Sequence, residues 1–147
     1  MTLPTVHDFT CSEPPEADLD GYSAWTRFGG LSLAEAHAKL CECPEVYQED
    51  FMWMGDRAFV YYFPVVDRYL RTIEVSQELD QAAWIFAHAI AIHVRTEPTP
   101  VNALHDRIEQ LCSFVLAELA RIPDRPERTH SVAEVAVAWT GLRDRLG

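Results

Sequence analysis

Apolar residues recur at intervals of three and four along most of this chain, a spacing that predicts a mainly α-helical fold. One such series, which would line one side of a helix, comprises Val101, Leu104, Ile108, Leu111, Cys112, Val115, Leu119 and Ile122. Two capping boxes, Ser32 with Glu35 and Ser131 with Glu134, indicate where further helices begin. We therefore predict a single-domain bundle of about five helices.

The segment Ala82–Ile92 is apolar at nearly every position, which is typical of a helix that is buried on all sides. We predict that it forms a buried central helix around which the bundle packs. On this interpretation Trp84 is almost completely buried, and His88 is a hydrogen-bonded histidine of the core.

The aromatic-rich residues 51–69 allow two interpretations. In the first, Asp56 is a helix N-cap and the apolar stripe that follows contains Phe59, Tyr62, Phe63, Val66 and Leu70. Pro64 would then break or kink that helix, or begin a second one. In the second, Phe51–Met54 pairs with Ala58–Phe63 as a short β-hairpin, because aromatic residues are good strand formers. We favour the helices and keep the hairpin as the alternative.

The start of the chain has the composition of an extended segment. Ser12–Asp18 contains two prolines and three acidic residues, a combination that disfavours both helix and strand pairing. We predict an extended acidic arm at residues 1–24 and a helical core at residues 25–147. Trp25 and Phe28 are expected to contact the core.

Negative charge is concentrated in the first third of the chain. Residues 1–56 hold eleven carboxylates and only two cations, Arg27 and Lys39, for a net charge of −9. The remaining residues hold twelve carboxylates and ten arginines. Such a field repels nucleic acid and anionic membranes and speeds encounter with a basic protein. We predict a basic protein partner, with no nucleic-acid or membrane binding.

The chain shows no sign of export or membrane insertion. Its first residues lack the basic and apolar regions of a secretory signal. The longest apolar run, Ala82–Ala87, is far shorter than the roughly 18 residues of a membrane span. We therefore predict a cytoplasmic protein, in which four cysteines, Cys11, Cys41, Cys43 and Cys112, are reduced thiols.

Two groups of residues are candidate metal ligands. His37 and Cys41 share a helix face and lie near Cys43, but Cys-x-Cys is not a usual zinc spacing and no second pair follows. Glu42 and Glu45 have the E-x-x-E spacing of helical magnesium-dependent hydrolases, but Pro44 interrupts the helix that would align them. We predict no metal site and no cofactor.

No nucleophile or phosphate-loop motif names a reaction, and we therefore expect a binding protein rather than an enzyme. Two alternatives stay open. A small metal-dependent hydrolase would require at least three carboxylates around one point in a pocket. A structural or regulatory module could form oligomers through its aromatic residues.

The string Gly55–Pro64, GDRAFVYYFP, followed by Tyr69 and Leu70, resembles a signature of small uncharacterised bacterial proteins, "aF-x-YY-L-P-x-x-L". Some of those proteins resemble immunity proteins encoded beside polymorphic toxins. The chain departs from the signature at Phe63, where leucine is expected. The resemblance carries no catalytic residue. It favours an immunity protein. Together with the acidic charge, this predicts a stoichiometric inhibitor that neutralises a basic bacterial toxin by occluding its active site.

The densest acidic cluster surrounds one aromatic residue just after the first capped helix. We predict that it is the partner-binding surface, formed by Glu42, Glu45, Tyr47, Glu49, Asp50 and Asp56. Replacement of Glu45, Glu49 and Asp50 by lysine is expected to leave the fold intact, because these positions lack the apolar periodicity of core residues.

Overall fold

The structure, a computed structural model, describes residues 2–72, 75–124 and 129–147, with side chains described outside 75–81. The described residues are mainly helical and contain no β-strand, which confirms the predicted class. The helices are α1 Val6–Phe9, α2 Leu19–Phe28, α3 Leu33–Glu42, α4 Pro44–Tyr47, α5 Asp50–Trp53, α6 Asp56–Thr72, α7 Val75–His93, α8 His105–Leu119 and α9 Val132–Leu146, with 3₁₀ turns at Pro15–Ala17 and Pro100–Leu104. Six of these helices have ten residues or more, so the expected number of about five is not confirmed.

Both predicted capping residues begin helices. The Ser32 hydroxyl accepts a hydrogen bond from the Glu35 amide at 3.1 Å, and the Glu35 carboxylate accepts one from the Ser32 amide at 2.9 Å. The Ser131 hydroxyl accepts a hydrogen bond from the Glu134 amide at 3.0 Å at the start of α9. These bonds satisfy N–H groups that have no partner within the helix.

The β-hairpin alternative is not confirmed, because α5 and α6 cover almost all of residues 51–63. Helix α6 begins at Asp56, which the helical interpretation expected to be the N-cap just before the helix. Pro64 lies inside this one helix, so the break or second helix expected there is not found. The helical spacing of the apolar residues, at intervals of three and four, outweighs the preference of aromatic residues for strands. That spacing places the predicted stripe, Phe59, Tyr62, Phe63, Val66 and Leu70, on the buried side of the helix.

Helix α6 lies at the centre of the fold and contacts α1, α3, α7, α8 and the second 3₁₀ turn. The Tyr62 hydroxyl lies 2.9 Å from the carbonyl oxygen of Phe28 and 2.7 Å from that of Leu31, and its single hydrogen can be donated to either or shared between them. Burial raises the pKa of Tyr62 to about 12. The neutral phenol therefore joins α6 to the end of α2.

Helix α7 is not buried on all sides, and this corrects the expectation of a buried central helix. Trp84 is only partly buried, and His88 and Ile92, four and eight residues further along, are exposed. Residues spaced by four share a helix face, so this face of α7 is open to solvent although most of its residues are apolar. The fully buried tryptophan is Trp139 of α9, whose indole N–H donates to the carbonyl oxygen of Ala83 at 2.9 Å.

The first residues are partly helical rather than extended. Within the expected arm, residues 1–24, lie α1, a 3₁₀ turn and the first six residues of α2. Phe9 is fully buried, and its carbonyl oxygen accepts a hydrogen bond from the Gly55 amide at 2.9 Å. A β-carbon at Gly55 would collide with the carbonyl oxygen of Asp8, so glycine is required for this close approach.

None of the described helices combines the length and apolar character needed to cross a bilayer.

Candidate functional site

Helices α4 and α5 follow one another almost as a single helix. Gln48 and Glu49, which separate them, both have right-handed helical backbone angles. Solvent-exposed residues therefore recur at helical spacing on one side. We call this side the outer face, and it consists of Glu45, Val46, Glu49 and Trp53. Val46 is 54% exposed and Trp53 is 44% exposed, so the outer face combines two carboxylates with two large apolar side chains.

The opposite side of the two helices is packed into the core. Gln48, Phe51 and Met54 are buried there. The ring of Phe51 lies 5.1 Å from that of Phe28 and 5.8 Å from that of Phe86, measured between centroids. These contacts stabilise α4 and α5 against α2 and α7 without any contribution from the outer face.

Asp50 was predicted to be part of the binding surface, and the structure places it in the interior. It is 2% exposed, and its carboxylate accepts two hydrogen bonds from the Arg27 guanidinium, at 2.7 Å from Nε and 3.0 Å from Nη2. Hydrogen bonding to Asp50 raises the pKa of Arg27 above its usual value. The pair joins α2 to α5, which makes Asp50 a structural residue.

Asp56 is also bound within the fold. Its carboxylate lies 2.8 Å from Nδ1 of His93 and accepts a hydrogen bond from Arg95 at 3.0 Å. The hydrogen bond with His93 outweighs partial burial, so the pKa of Asp56 is lower than usual. Nε2 of His93 lies 2.8 Å from the carbonyl oxygen of Phe51, and both ring nitrogens therefore face acceptors. Through these two contacts the ring of His93 connects α5, α6 and α7.

The two cations of residues 1–56 are both held inside this region. Arg27 is paired with Asp50. Lys39 donates to the carbonyl oxygen of Arg27 at 2.7 Å, with its ammonium group 5.3 Å from the centre of the Tyr47 ring. Neither cation forms an ion pair with Glu45 or Glu49. The charge of the outer face is therefore not neutralised by either of these two cations.

The other predicted site residues lie beside the outer face. Glu42, the last residue of α3, is exposed. Tyr47 is partly buried, with its ring edge-on to Phe28 at 5.9 Å. Within the described residues, Glu45 accepts a hydrogen bond from the Cys43 thiol at 3.5 Å and forms no ion pair. Of the six predicted residues, Glu42, Glu45 and Glu49 are exposed carboxylates, and Tyr47 supplies a partly accessible ring.

An open groove of about 570 Å³ is lined in part by Trp53 of the outer face. Its other lining residues come from α1, the start of α2, α5, the start of α6 and the end of α7, with their connections. Ile92, which is 42% exposed, also lines it. The groove is where the acidic first residues of the chain meet the exposed apolar end of α5.

The residues considered as metal ligands do not form a metal site in the described part of the chain, where no group of three or more His, Cys, Asp or Glu side chains could hold an ion. The Cys41 sulfur lies 3.7 Å from Nε2 of His37. Glu42 and Glu45 lie on different helices, and both are exposed to solvent. The arrangement that the hydrolase alternative requires is therefore not found among the described residues.

The sequence gives no sign of the partners that bind Asp50 and Asp56 inside the fold and so distinguish them from the exposed acidic residues. Arg27 lies 23 residues from Asp50, and His93 lies 37 residues from Asp56, so no local pattern connects them. A signal did exist for the outer face. Positions 45, 49 and 53 are spaced by four, which would have separated Glu45, Glu49 and Trp53 from the inward-facing Asp50.

Comparison of the chain with known protein families, curated proteins and solved structures finds no match.

Proposed function

We propose that this protein is a stoichiometric inhibitor that binds a basic protein through the outer face of α4 and α5. The observation that supports this function best is the composition of that face. Glu45 and Glu49 are exposed and have no ion pair with any described residue, and Val46 and Trp53 lie exposed beside them. Carboxylates that steer a partner and apolar side chains that it can cover are what a protein-binding surface needs.

The partner that fits is a bacterial toxin acting on nucleic acid or nucleotides, in line with the resemblance to immunity proteins. Such an enzyme presents positive charge to its anionic substrate. An acidic inhibitor can reproduce the field of that substrate and occlude the active site. Glu42 and Tyr47 extend the proposed contact, whereas Asp50 and Asp56 support its scaffold from within.

Co-expression with the toxin domain encoded beside its gene tests the proposal. The wild-type chain should restore growth, and E45K/E49K should weaken toxin affinity by roughly 100-fold, or about 2.8 kcal/mol, because like charges would then face one another. The control is E109K/D144K, which makes the same change in charge at exposed positions of α8 and α9. Calorimetry of each purified pair gives the affinities.

Salt provides a second measurement. Association with the toxin, followed by stopped flow, should slow as sodium chloride is added, because ions screen the attraction between exposed charges. Equal loss of affinity in E45K/E49K and in the control would show that only net charge matters. Full protection by E45K/E49K would place the contact elsewhere and overturn the proposal.

A further inference from the structure

The groove beside the outer face carries both acidic and basic side chains. It shares Asp8, Arg57 and Pro100 with a smaller cavity of about 210 Å³, whereas Asp18 and Asp20 line the larger groove alone. Arg57 is exposed and forms no ion pair with a described residue. The carboxylates attract a cationic ligand, and Arg57 opposes its approach.

Asp18 and Asp20 differ in whether their carboxylates already accept hydrogen bonds within the fold. Asp18 accepts hydrogen bonds from the amides of Gly21 and Cys11, at 3.1 and 3.0 Å, and from the Cys11 thiol at 3.4 Å. Partial burial raises the pKa of Asp18, but these hydrogen bonds outweigh it and the pKa is lower than usual. Asp20 is exposed and has no hydrogen bond or ion pair within the described residues. Its carboxylate is the one open to a ligand.

Trp53 provides the apolar wall next to the outer face. Its indole is 44% exposed, while its neighbours Phe51 and Met54 are buried. An exposed indole face attracts a cation through its ring quadrupole. The groove thus presents an aromatic surface, a carboxylate without a partner among the described residues, and one arginine that repels a cation.

We propose that this groove receives an arginine side chain of the basic partner. The inference rests on the proposed function and names the chemistry that the partner contributes at this part of the surface. The guanidinium stacks on Trp53 and pairs with Asp20, and the like charge of Arg57 weakens its binding. Arginine fits better than lysine because its planar, weakly hydrated group stacks on aromatic rings and binds carboxylates with two parallel hydrogen bonds.

The probe for this inference is an acetylated tri-arginine amide. In NMR titrations it should shift the indole N–H signal of Trp53, which is assigned by its absence in W53F, more than the signals of the other three tryptophans. Tri-lysine should bind about threefold to fivefold more weakly, and tri-citrulline, which is planar but uncharged, should not bind detectably. Equal binding of the arginine and lysine peptides would overturn the inference.

Variants then test whether tri-arginine binding depends on the groove residues or only on the overall negative charge of the protein. Calorimetry measures the affinity of each variant. W53A and D20N should each weaken tri-arginine binding about threefold to fivefold, W53F should retain most of it, and R57Q should strengthen it about twofold. The control is D144N, which makes the same charge change as D20N in α9 and should have no such effect. Thermal melts establish that each variant is folded. Equal weakening by D20N and D144N would count against the groove.

The inference and the proposed function fail separately. If the toxin binds and E45K/E49K weakens it, but W53A and D20N do not reduce binding of tri-arginine, the groove inference is wrong and the function stands. If tri-arginine binds as expected but the toxin is not inhibited, the groove recognises arginine and the proposed function is wrong.

Discussion

Two groups of acidic residues lie within a dozen positions of one another and have opposite surroundings. Asp50 and Asp56 are paired with Arg27, His93 and Arg95, in the region where α2, α5, α6 and α7 meet. Glu45 and Glu49, on the outer face, are exposed and have no such partner among the described residues. A run of negative charge in a sequence therefore contains both structural and solvent-facing residues, and helical position separates them.

The test of this comparison with the largest expected effect on stability is a pair of charge-reversal variants. E45K/E49K should melt close to the wild-type temperature, because surface substitutions usually change stability by no more than about 0.5 kcal/mol. E45K/E49K/D50K should fail to fold, since it buries a lysine beside Arg27 and removes the carboxylate that the guanidinium binds. Circular dichroism during thermal unfolding measures both.

The two variants differ only at position 50, so the double variant is the control for the triple one. If they melt alike, Asp50 is not structural and the comparison fails. This expectation replaces the sequence-based prediction that Glu45, Glu49 and Asp50 all face solvent.

A second test applies the same comparison to two tryptophans. Trp139→Ala should lower the free energy of unfolding by about 3–5 kcal/mol, because it empties a fully buried site and leaves the carbonyl oxygen of Ala83 without its donor. Trp84→Ala should cost a fraction of that, because Trp84 is only partly buried and stacks on His130 near the surface. Urea unfolding gives both values. Equal costs would mean that burial does not distinguish the two sites.

The smallest of these effects depends on pH. Asp56→Asn should lower the free energy of unfolding at neutral pH by about 1.5–3 kcal/mol, the usual worth of hydrogen bonds to a charged group. The pKa of Asp56 is lower in the fold than its ordinary value of 3.8. Its contribution is therefore complete above that value and is lost as the pH falls through the lowered pKa.

The difference between wild type and Asp56→Asn should accordingly shrink as the pH is taken from about 6 to about 2.5. Urea unfolding across that range measures it, with Asp144→Asn as the exposed control. A difference that stays constant with pH would show that the charge of Asp56 contributes nothing to stability.

The features predicted correctly from the sequence are local. Ser32 and Ser131 begin helices because each hydroxyl reaches an amide three residues ahead, an interaction that sequence spacing specifies. The helical interpretation of residues 51–69 was correct in class for a similar reason, since α6 follows spacing of three and four, although α6 does not end at Pro64 as that interpretation allowed. Such features need no knowledge of what the helix packs against.

The features that were missed depend on contacts between distant parts of the chain. The apolar composition of residues 82–92 predicted burial on every side, but α7 packs on α5, α6, α8 and α9 and leaves the side with Trp84 and His88 uncovered. In the sequence Asp50 resembles the exposed acidic residues beside it, and only the contact with Arg27 of α2 distinguishes it. Which apolar side chains are covered and which carboxylates are paired is decided by tertiary packing.

The division of α4 and α5 into an inner and an outer side has a consequence for how this protein can change over time. Core contacts run through Phe51 and Met54, whereas positions 45, 46, 49 and 53 contribute little to holding the helices in place. Mutations can accumulate at those four positions at small cost in folding. If the partner binds there, related chains can diverge in what they recognise while keeping one scaffold, and a changing partner can be followed by substitutions on a single helical face.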